Sequence, residues 1–329
     1  MDESPALHDE IAAALDVATL PSPGFEYELL STLAHSLVAR VHLASASGMP
    51  SSVIYKRSQA GAGAFLTLRE VRFYHEFGRT LPADIAPHAY LAARTDAGAT
   101  LVLEDLEPRF RPCASSVPSL DEARAFVRSL ARVHACTHQT DGDIWAAAMC
   151  AGPYDTLAGR LQMLALGFDA ARADTGLDDE TADLVHVIAS VPVSLAAFAS
   201  ERSILHGDAH FWNAVYAADH AVLFDWGNTC LGPGEIDLAH AVAMNLPRDV
   251  RRGWERALLD DYHDALIQEG VSRGRVEIEE RYRLGVAYAL TVPLRQRAAG
   301  VPERIWRPLL ANVSAAARDL DIAALLSAR

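Results

Sequence analysis

Between Leu205 and Asp237 the chain carries two carboxylates and an amide in an order that suits phosphoryl transfer. The segment opens Leu205-His206-Gly207-Asp208-Ala209-His210-Phe211-Trp212-Asn213 and continues through Phe224-Asp225-Trp226 to Asp237. Asp208 and Asn213 are five residues apart, and Asp225 follows Asn213 by twelve. A hydroxyl that attacks a phosphorus must lose its proton as the bond forms, which suits a carboxylate beside the metal ions rather than bound tightly to them. Asp208 is that candidate base. Mg²⁺ prefers hard oxygen ligands and keeps several waters, so a site shared with nucleotide phosphates needs only one or two side chains. Asn213 and Asp225 supply those oxygens.

The elements around these residues are legible too. Ala214-Val215-Tyr216 and Ala221-Val222-Leu223-Phe224 are apolar or β-prone, and Ala217-Ala218-Asp219-His220 suits a turn, which predicts a short hairpin. A hairpin there lets Asn213 at its entry and Asp225 at its exit approach a shared ion. A second arrangement is open to the same residues: His206, Asp208 and His210, at i, i+2 and i+4, could display ligands to Zn²⁺ from a strand. It leaves Asn213 and Asp225 without a role.

The spacing Asp208-x-x-x-x-Asn213 equals that of the catalytic loop of kinases. His206-Gly207-Asp208-Ala209-His210-x-x-Asn213, then Phe224-Asp225-Trp226, then Gly232-Pro233-Gly234-Glu235-Ile236-Asp237-Leu238-Ala239, resembles the aminoglycoside phosphotransferase and choline kinase family. The resemblance implies a bilobal, protein-kinase-like α+β fold: a small N-lobe of antiparallel sheet plus helix, and a larger, mainly helical C-lobe. It implies ATP or GTP as co-substrate, Mg²⁺ as cofactor and a small-molecule hydroxyl as acceptor. It also implies that Asp237 accepts backbone hydrogen bonds that brace the catalytic loop, with His206 and His210 supporting the same loop. A carboxylate near the start of the helix that Leu238-Ala239-His240-Ala241-Val242 begins would itself be favourable.

Such a family makes demands on the N-terminal third. Ser52-Val53-Ile54-Tyr55-Lys56 is β-prone and ends in the one lysine of the chain, every other permanently basic side chain being arginine. A compact ammonium and a planar guanidinium are not interchangeable, so this lysine stands out. Fourteen residues on, Glu70 lies in a segment whose apolar positions 65, 68, 71, 74 and 77 approximate a helical face. Lys56 and Glu70 are the predicted ion pair; Glu76, almost two turns further along the helix, is the weaker partner. Thr100-Leu101-Val102-Leu103-Glu104-Asp105-Leu106 resembles the hinge of the family, with backbone groups of Glu104 and Leu106 meeting the adenine edge. The loop Ser31-Thr32-Leu33-Ala34-His35-Ser36 departs from the protein-kinase pattern because it contains no glycine, and Ser36 is its candidate phosphate contact.

The rest of the chain is consistent with this organisation. At 329 residues it is long enough for two lobes, expected as 1–103 (N-lobe), 104–107 (hinge) and 108–329 (C-lobe). Residues 7 to 16 look helical, and Ser119-Leu120-Asp121-Glu122 is a capping box ahead of a helix with apolar positions Ala123, Phe126, Val127, Leu130 and Val133. A net charge of −14 argues against nucleic acid and acidic membranes as partners. The apolar stretch from Leu184 to Ala199 is interrupted by His186 and Pro192 and is too short for a span, so it is expected to be a buried helical segment beneath the catalytic loop. The start Met1-Asp2-Glu3-Ser4-Pro5 lacks the order of a secretory signal, and Cys113, Cys136, Cys150 and Cys230 have no C-x-x-C spacing. Free thiols in a cytoplasmic protein are the simplest reading.

The acceptor is the least legible part. Phe211 and Trp212 are expected to wall the acceptor site, and Trp145, Trp254 and Trp306 offer further faces that serve more often as core. Asp260-Asp261 and Glu277-Ile278-Glu279-Glu280 read equally as a cradle for a cationic substrate or as solvated helix faces. An antibiotic O-phosphotransferase is the leading expectation, a metabolic kinase of choline, sugars or amino-acid derivatives the next. A silent nucleotide-binding scaffold is the alternative of another class, and the presence of Lys56, Asp208, Asn213 and Asp225 argues against it.

Overall fold

The computed structural model describes residues 11, 26–33, 36–43, 50–59, 64–78, 81–95, 98–113, 117–138, 178–190, 198 and 203–327. Contacts divide the chain into two compact units, Met1–Arg111 with Val222–Asn228, and Pro112–Ala221 with Thr229–Arg329. The first unit thus runs through Arg111, and a short later segment, Val222–Asn228, returns to it. The helix expected over residues 7 to 16 lies outside the described residues apart from Ile11, as do Trp145 and Cys150.

The first unit is an antiparallel sheet of β1 (Glu26–Leu33), β2 (Ser36–His42), β3 (Ser52–Gln59), β4 (Ala89–Thr95) and β5 (Gly98–Glu104) in the order β1-β2-β3-β5-β4. Period-two alternation on β3 buries Val53 and Tyr55 with Ile11, Val41, Leu43 and Val102. It sends Lys56 to the opposite face, where helix α1 (Ala64–Glu76) packs. The expected loop over 31–36 is shorter than the sequence suggested: β1 runs to Leu33 and β2 starts at Ser36, with Leu33 opposite Ser36, because cross-strand pairing extends both strands. Ser36 is thus a paired strand residue, opposite Ser58 on its other side.

The buried face of α1 also differs from the expected stripe. Val71, Tyr74 and Phe77 are buried, but Phe65 is exposed, and Glu70 and Phe73 are buried in its place. The reason is tertiary. Phe73 stacks on Trp226 at 4.0 Å, nearly parallel at 8°, and Arg69 lies over the outward-facing Phe65 ring.

In the second unit, helix α2 (Leu120–Cys136) starts at the predicted capping box, in which Glu122 N–H donates to Ser119 Oγ (3.2 Å) and Ser119 N–H to Glu122 Oε2 (2.7 Å). Its buried stripe includes Ala123, Phe126, Val127, Leu130 and Val133, as the spacing predicts. Helix α3 (Asp179–Ser190) buries Leu184 and Val185 and packs with the C-terminal helix 322–327; the rest of the apolar stretch to Ala199 lies outside the described residues apart from Phe198.

Strand β6 (Ser203–Leu205) leads into the loop 206–213. The expected hairpin follows as β7 (Ala214–Tyr216) and β8 (Ala221–Leu223), flanking a turn in which Ala217 N–H donates to His220 O at 3.0 Å. Strand β9 (Cys230–Gly232) pairs antiparallel with β6. Helix α4 (Glu235–Ala239) then runs into one π-helical turn, His240–Met244, followed by α5 (Arg248–Gln268), α6 (Arg275–Ala289), α7 (Thr291–Ala298), α8 (Glu303–Asp319) and α9 (Ile322–Ser327). Among the described residues no helix is long and apolar enough to cross a membrane.

Candidate active site

Lys56 lies between two carboxylates of its own unit. Its Nζ donates to Glu70 Oε2 at 2.5 Å and to Asp225 Oδ1 at 2.8 Å. Burial by itself would lower the lysine's pKa, but the charges of Glu70 and then Asp225 outweigh it and raise the value above the ordinary one. The ammonium is therefore permanently charged. The two partners differ: the Glu70 side chain is 1% exposed and that of Asp225 is 49% exposed.

Asp225 is held in place by its neighbours in the chain. Leu223 N–H donates to Ile85 O at 2.7 Å, and Trp226, fully buried against Phe73, donates from Nε1 to Leu223 O at 3.1 Å. Between these anchors Asp225 adopts φ 64°, a left-handed conformation uncommon for a residue with a side chain. Such backbone strain persists only where surrounding contacts enforce it, and it concentrates at functional sites. Gly227 follows under equal constraint, since a Cβ there would come within 3.3 Å of Leu66.

The segment after β5 is fixed by Asp105, which accepts from Ser52 Oγ (2.6 Å), Arg40 Nε (2.8 Å) and Glu107 N–H (3.3 Å). Glu104 N–H is already used by His88 O, and Leu106 O accepts from Arg109 and Phe110 N–H groups.

The loop 206–213 belongs to the second unit and is braced from below by Asp237. This carboxylate, fully buried, accepts from His206 N–H at 2.5 Å and Gly207 N–H at 3.0 Å, and lies 3.3 Å from His134 Nε2. Burial opposes its ionisation, but the hydrogen bond with His134, the nearby His134 and His206 imidazoles and the Gly207 N–H together outweigh it and hold its pKa below the ordinary carboxylate value. Gly207 takes φ 77°, which lets the chain turn sharply above Asp237. Gly234, just before α4, has no room for a side chain: a Cβ would come within 2.4 Å of His134 Nδ1 and 2.5 Å of Tyr262 Oη. Those two atoms are hydrogen-bonded to each other at 2.9 Å.

Above this brace, Asn213 Nδ2 donates to Asp208 O (2.9 Å) and Asp208 Oδ2 (3.3 Å), which turns the amide oxygen of Asn213 away from Asp208. Asp208 Oδ1 lies 3.1 Å from His210 Nε2 and 3.7 Å from His240 Nε2. Burial works against the Asp208 charge, yet the His210 hydrogen bond, reinforced by the neighbouring imidazoles, keeps its pKa far below the usual carboxylate range. His240 is buried and its pKa is pushed down to about 3, chiefly by desolvation. The sequence reading missed His240, as it missed His134, Tyr262 and Asn245. A signal for His240 existed, since it follows Asp237 by three residues, nearly one helical turn.

Phe211 and Trp212 part company. Phe211 is buried at 1% exposure against Phe126, ring centroids 5.0 Å apart, and its carbonyl accepts from Tyr216 Oη at 2.6 Å. It packs the loop onto α2 and corrects the expectation of a wall built from both rings. Trp212 is 47% exposed and stacks on His210 at 4.3 Å. Trp306 is buried beneath Arg297. The acidic segments are matched by arginines: Asp261 to Arg124 and Arg128, Asp260 to Arg275, Glu277 to Arg273, and Glu279 to Arg275. Of these carboxylates Asp261 is mostly covered, at 19% exposure, while the others keep their pairs at the surface.

A family model described as the phosphotransferase enzyme family matches residues 31–276. The chain belongs to this family. It is accordingly a small-molecule kinase. Among curated proteins no sequence match is found. Solved structures do match. An aminoglycoside 2'-phosphotransferase-IIIa in its GDP complex is 13% identical with a TM-score of 0.59, covering 95% of this chain and 99% of its own. A macrolide 2'-phosphotransferase from Brachybacterium faecium is 17% identical with a TM-score of 0.54, covering 90% and 97%. A choline/ethanolamine kinase family protein from Mesorhizobium loti is 15% identical with a TM-score of 0.57, covering 98% and 97%. At these identities the likeness establishes the fold, the bilobal α+β protein-kinase-like fold of the phosphotransferase family.

Proposed function

We propose that this phosphotransferase moves the γ-phosphate of ATP or GTP to a hydroxyl of a small antibiotic-class molecule. The observation that carries the reading is the chain's one lysine, charged and clasped by Glu70 and Asp225. A permanent point charge fixed by a buried carboxylate is what binding of nucleotide phosphates requires. The Glu104 carbonyl and Leu106 N–H meet the base, and Ser36 lies at the start of the strand nearest the β1–β2 turn, where a hydroxyl could reach a phosphate.

Asn213 and Asp225 offer an amide oxygen and a carboxylate oxygen, a hard donor set that fits Mg²⁺ and not a soft metal. When bound, the ion would neutralise charge on the phosphates. Asp208 is the base: it accepts the proton of the acceptor hydroxyl as that oxygen bonds to the γ-phosphorus and the bond to the bridging oxygen breaks, releasing nucleoside diphosphate. Its low pKa keeps it ionised across the neutral range. Asp237 holds the loop backbone beneath it, with His206 and His210 on either side. Trp212 is the candidate acceptor face, exposed and flat beside His210.

The antibiotic class is supported by the fold shared with aminoglycoside and macrolide phosphotransferases. The arginine-matched acidic segments give no particular support to a polycationic acceptor, and the ring of Trp212 favours one with an apolar face. We place the enzyme in the cytoplasm, where its nucleotide is abundant and the thiols of Cys113, Cys136 and Cys230, none of them in a disulfide, stay reduced.

The test is an acceptor panel assayed with Mg²⁺ and ATP or GTP, with NMR to locate the phosphate. Asp208→Ala should bind nucleotide like the parent and lose transfer, while Asp225→Ala should lose metal-dependent nucleotide binding as well. Transfer at the parent rate in either variant would overturn the assignment, and a parent that modifies no acceptor would favour a silent scaffold.

A further inference from the structure

Among the described residues, Asp208, His210 and His240 form a group whose ligand atoms all lie within 4.8 Å of one another. The edges of the triangle are 3.1 Å from Asp208 Oδ1 to His210 Nε2, 3.4 Å from His210 Nε2 to His240 Nε2, and 3.7 Å from His240 Nε2 to Asp208 Oδ1. With bonds of about 2.0–2.1 Å, a tetrahedral Zn²⁺ has ligand–ligand edges of about 3.4 Å. All three edges fall close to that value.

The hydrogen bonds around the triangle fix which atoms face its centre. Asn245 Nδ2 donates to His240 O at 2.7 Å, so the amide must turn its Oδ1 toward His210 Nδ1, which lies 2.5 Å away. His210 Nδ1 therefore carries a hydrogen, and its Nε2 faces Asp208 and His240, so the hydrogen through which Nε2 serves Asp208 is the one a metal ion would replace. Holding the far nitrogen of an imidazole in this way is how proteins orient a metal-bound histidine. A proton placed among the three inward atoms relieves one edge of the triangle at a time, whereas a metal ion relieves all three. His240 is held at the start of the π-helical turn, a distortion frequent at functional sites.

We propose that Asp208, His210 and His240 form a binding site for Zn²⁺ or a similar divalent transition metal, distinct from the Mg²⁺ positions at Asn213 and Asp225, whose occupancy takes Asp208 out of use as a base. Two imidazoles and one carboxylate suit Zn²⁺, Co²⁺ or Ni²⁺, while Mg²⁺ selects all-oxygen surroundings. The blocking effect rests on the reading of Asp208 as base. The binding itself does not.

The experiment uses the full chain without an affinity tag or nucleotide. Co²⁺ is titrated in and its visible absorption recorded, followed by competition with Zn²⁺ and then with millimolar Mg²⁺. One saturable equivalent is expected, displaced by Zn²⁺ and not by Mg²⁺. His210→Gln and His240→Gln should each weaken it at least tenfold, with circular dichroism melts in metal-free buffer confirming that each variant folds. If either fails to fold, shifts of the His210 and His240 imidazole resonances in the parent on adding Zn²⁺ read the same contact. Absence of a saturable equivalent, affinity unchanged in both variants, or imidazole signals that do not move would overturn the site. Stoichiometric Zn²⁺ should also abolish phosphate transfer, with recovery on chelation; binding at these residues that left transfer intact would overturn the blocking of Asp208.

Discussion

Lys56 has two carboxylate partners of unequal burial, and that inequality sets an energy difference that double-mutant cycles can read. Glu70 is almost fully buried at 1% exposure, Lys56 is 15% exposed, and the bond between them is 2.5 Å. Breaking a buried pair by removing one partner typically costs about 3–5 kcal/mol. Here the lysine keeps Asp225, so the coupling between Lys56 and Glu70 should be about 2–4 kcal/mol. Asp225 is 49% exposed at 2.8 Å, and solvent screening reduces its coupling to about 1 kcal/mol or less. The cycles pair Lys56→Met with Glu70→Gln and with Asp225→Asn. Hydrogen exchange of the β3 and α1 amides gives the opening free energy of this unit alone, free of unfolding elsewhere in the chain. A Glu70 coupling below about 1 kcal/mol, or no larger than the Asp225 coupling, would refute the argument that burial makes Glu70 the structural anchor of the lysine.

Three further outcomes are expected. Phe211→Ala should destabilise by about 3–5 kcal/mol because it empties a packed site against Phe126, while Trp212→Ala should change stability by about 0.5 kcal/mol and raise KM for the acceptor; urea unfolding and steady-state kinetics separate the two, and the reverse pattern would exchange their roles. Gly234→Ala should cost about 1–3 kcal/mol, since its Cβ must displace His134 or Tyr262; a melting temperature equal to the parent's would refute this. For Asp237 the folded pKa lies below the unfolded value of about 3.9, so its contribution to stability is present above that pH and is lost as pH falls through the folded value. Asp237→Asn should remove that part of the acid-unfolding limb and lower stability at neutral pH, and an acid limb identical to the parent's would count against the brace.

The local chemistry was legible because it depends on short spacings. Asp208 and Asn213 sit on one loop whose turns bring Asn213 Nδ2 to Asp208, so five residues suffice to specify that contact. The hairpin of β7 and β8, the capping box at Ser119 and the stripe of α2 follow from turn chemistry and periodicity. Lys56 and Glu70, fourteen residues apart, were found by residue type, the single lysine at a strand end and a carboxylate on the next helix, and their bond confirms the pairing. The stripe on α1 was misjudged because periodicity finds an apolar face without knowing its partner. Trp226, far along the chain, selects Phe73 and leaves Phe65 outside.

By itself the sequence determined the family, the order of the elements and the residues of the loop, because these follow from residue type and from separations shorter than one element. Only the tertiary structure decided that Lys56 also grips Asp225, that Asp225 stands in a left-handed conformation, that Phe211 turns inward while Trp212 stays out, and that His240 and Asn245 arrive beside Asp208 and His210. Those facts depend on the direction of side chains from segments distant in sequence. Packing fixes such directions, and spacing along one chain segment carries no information about them.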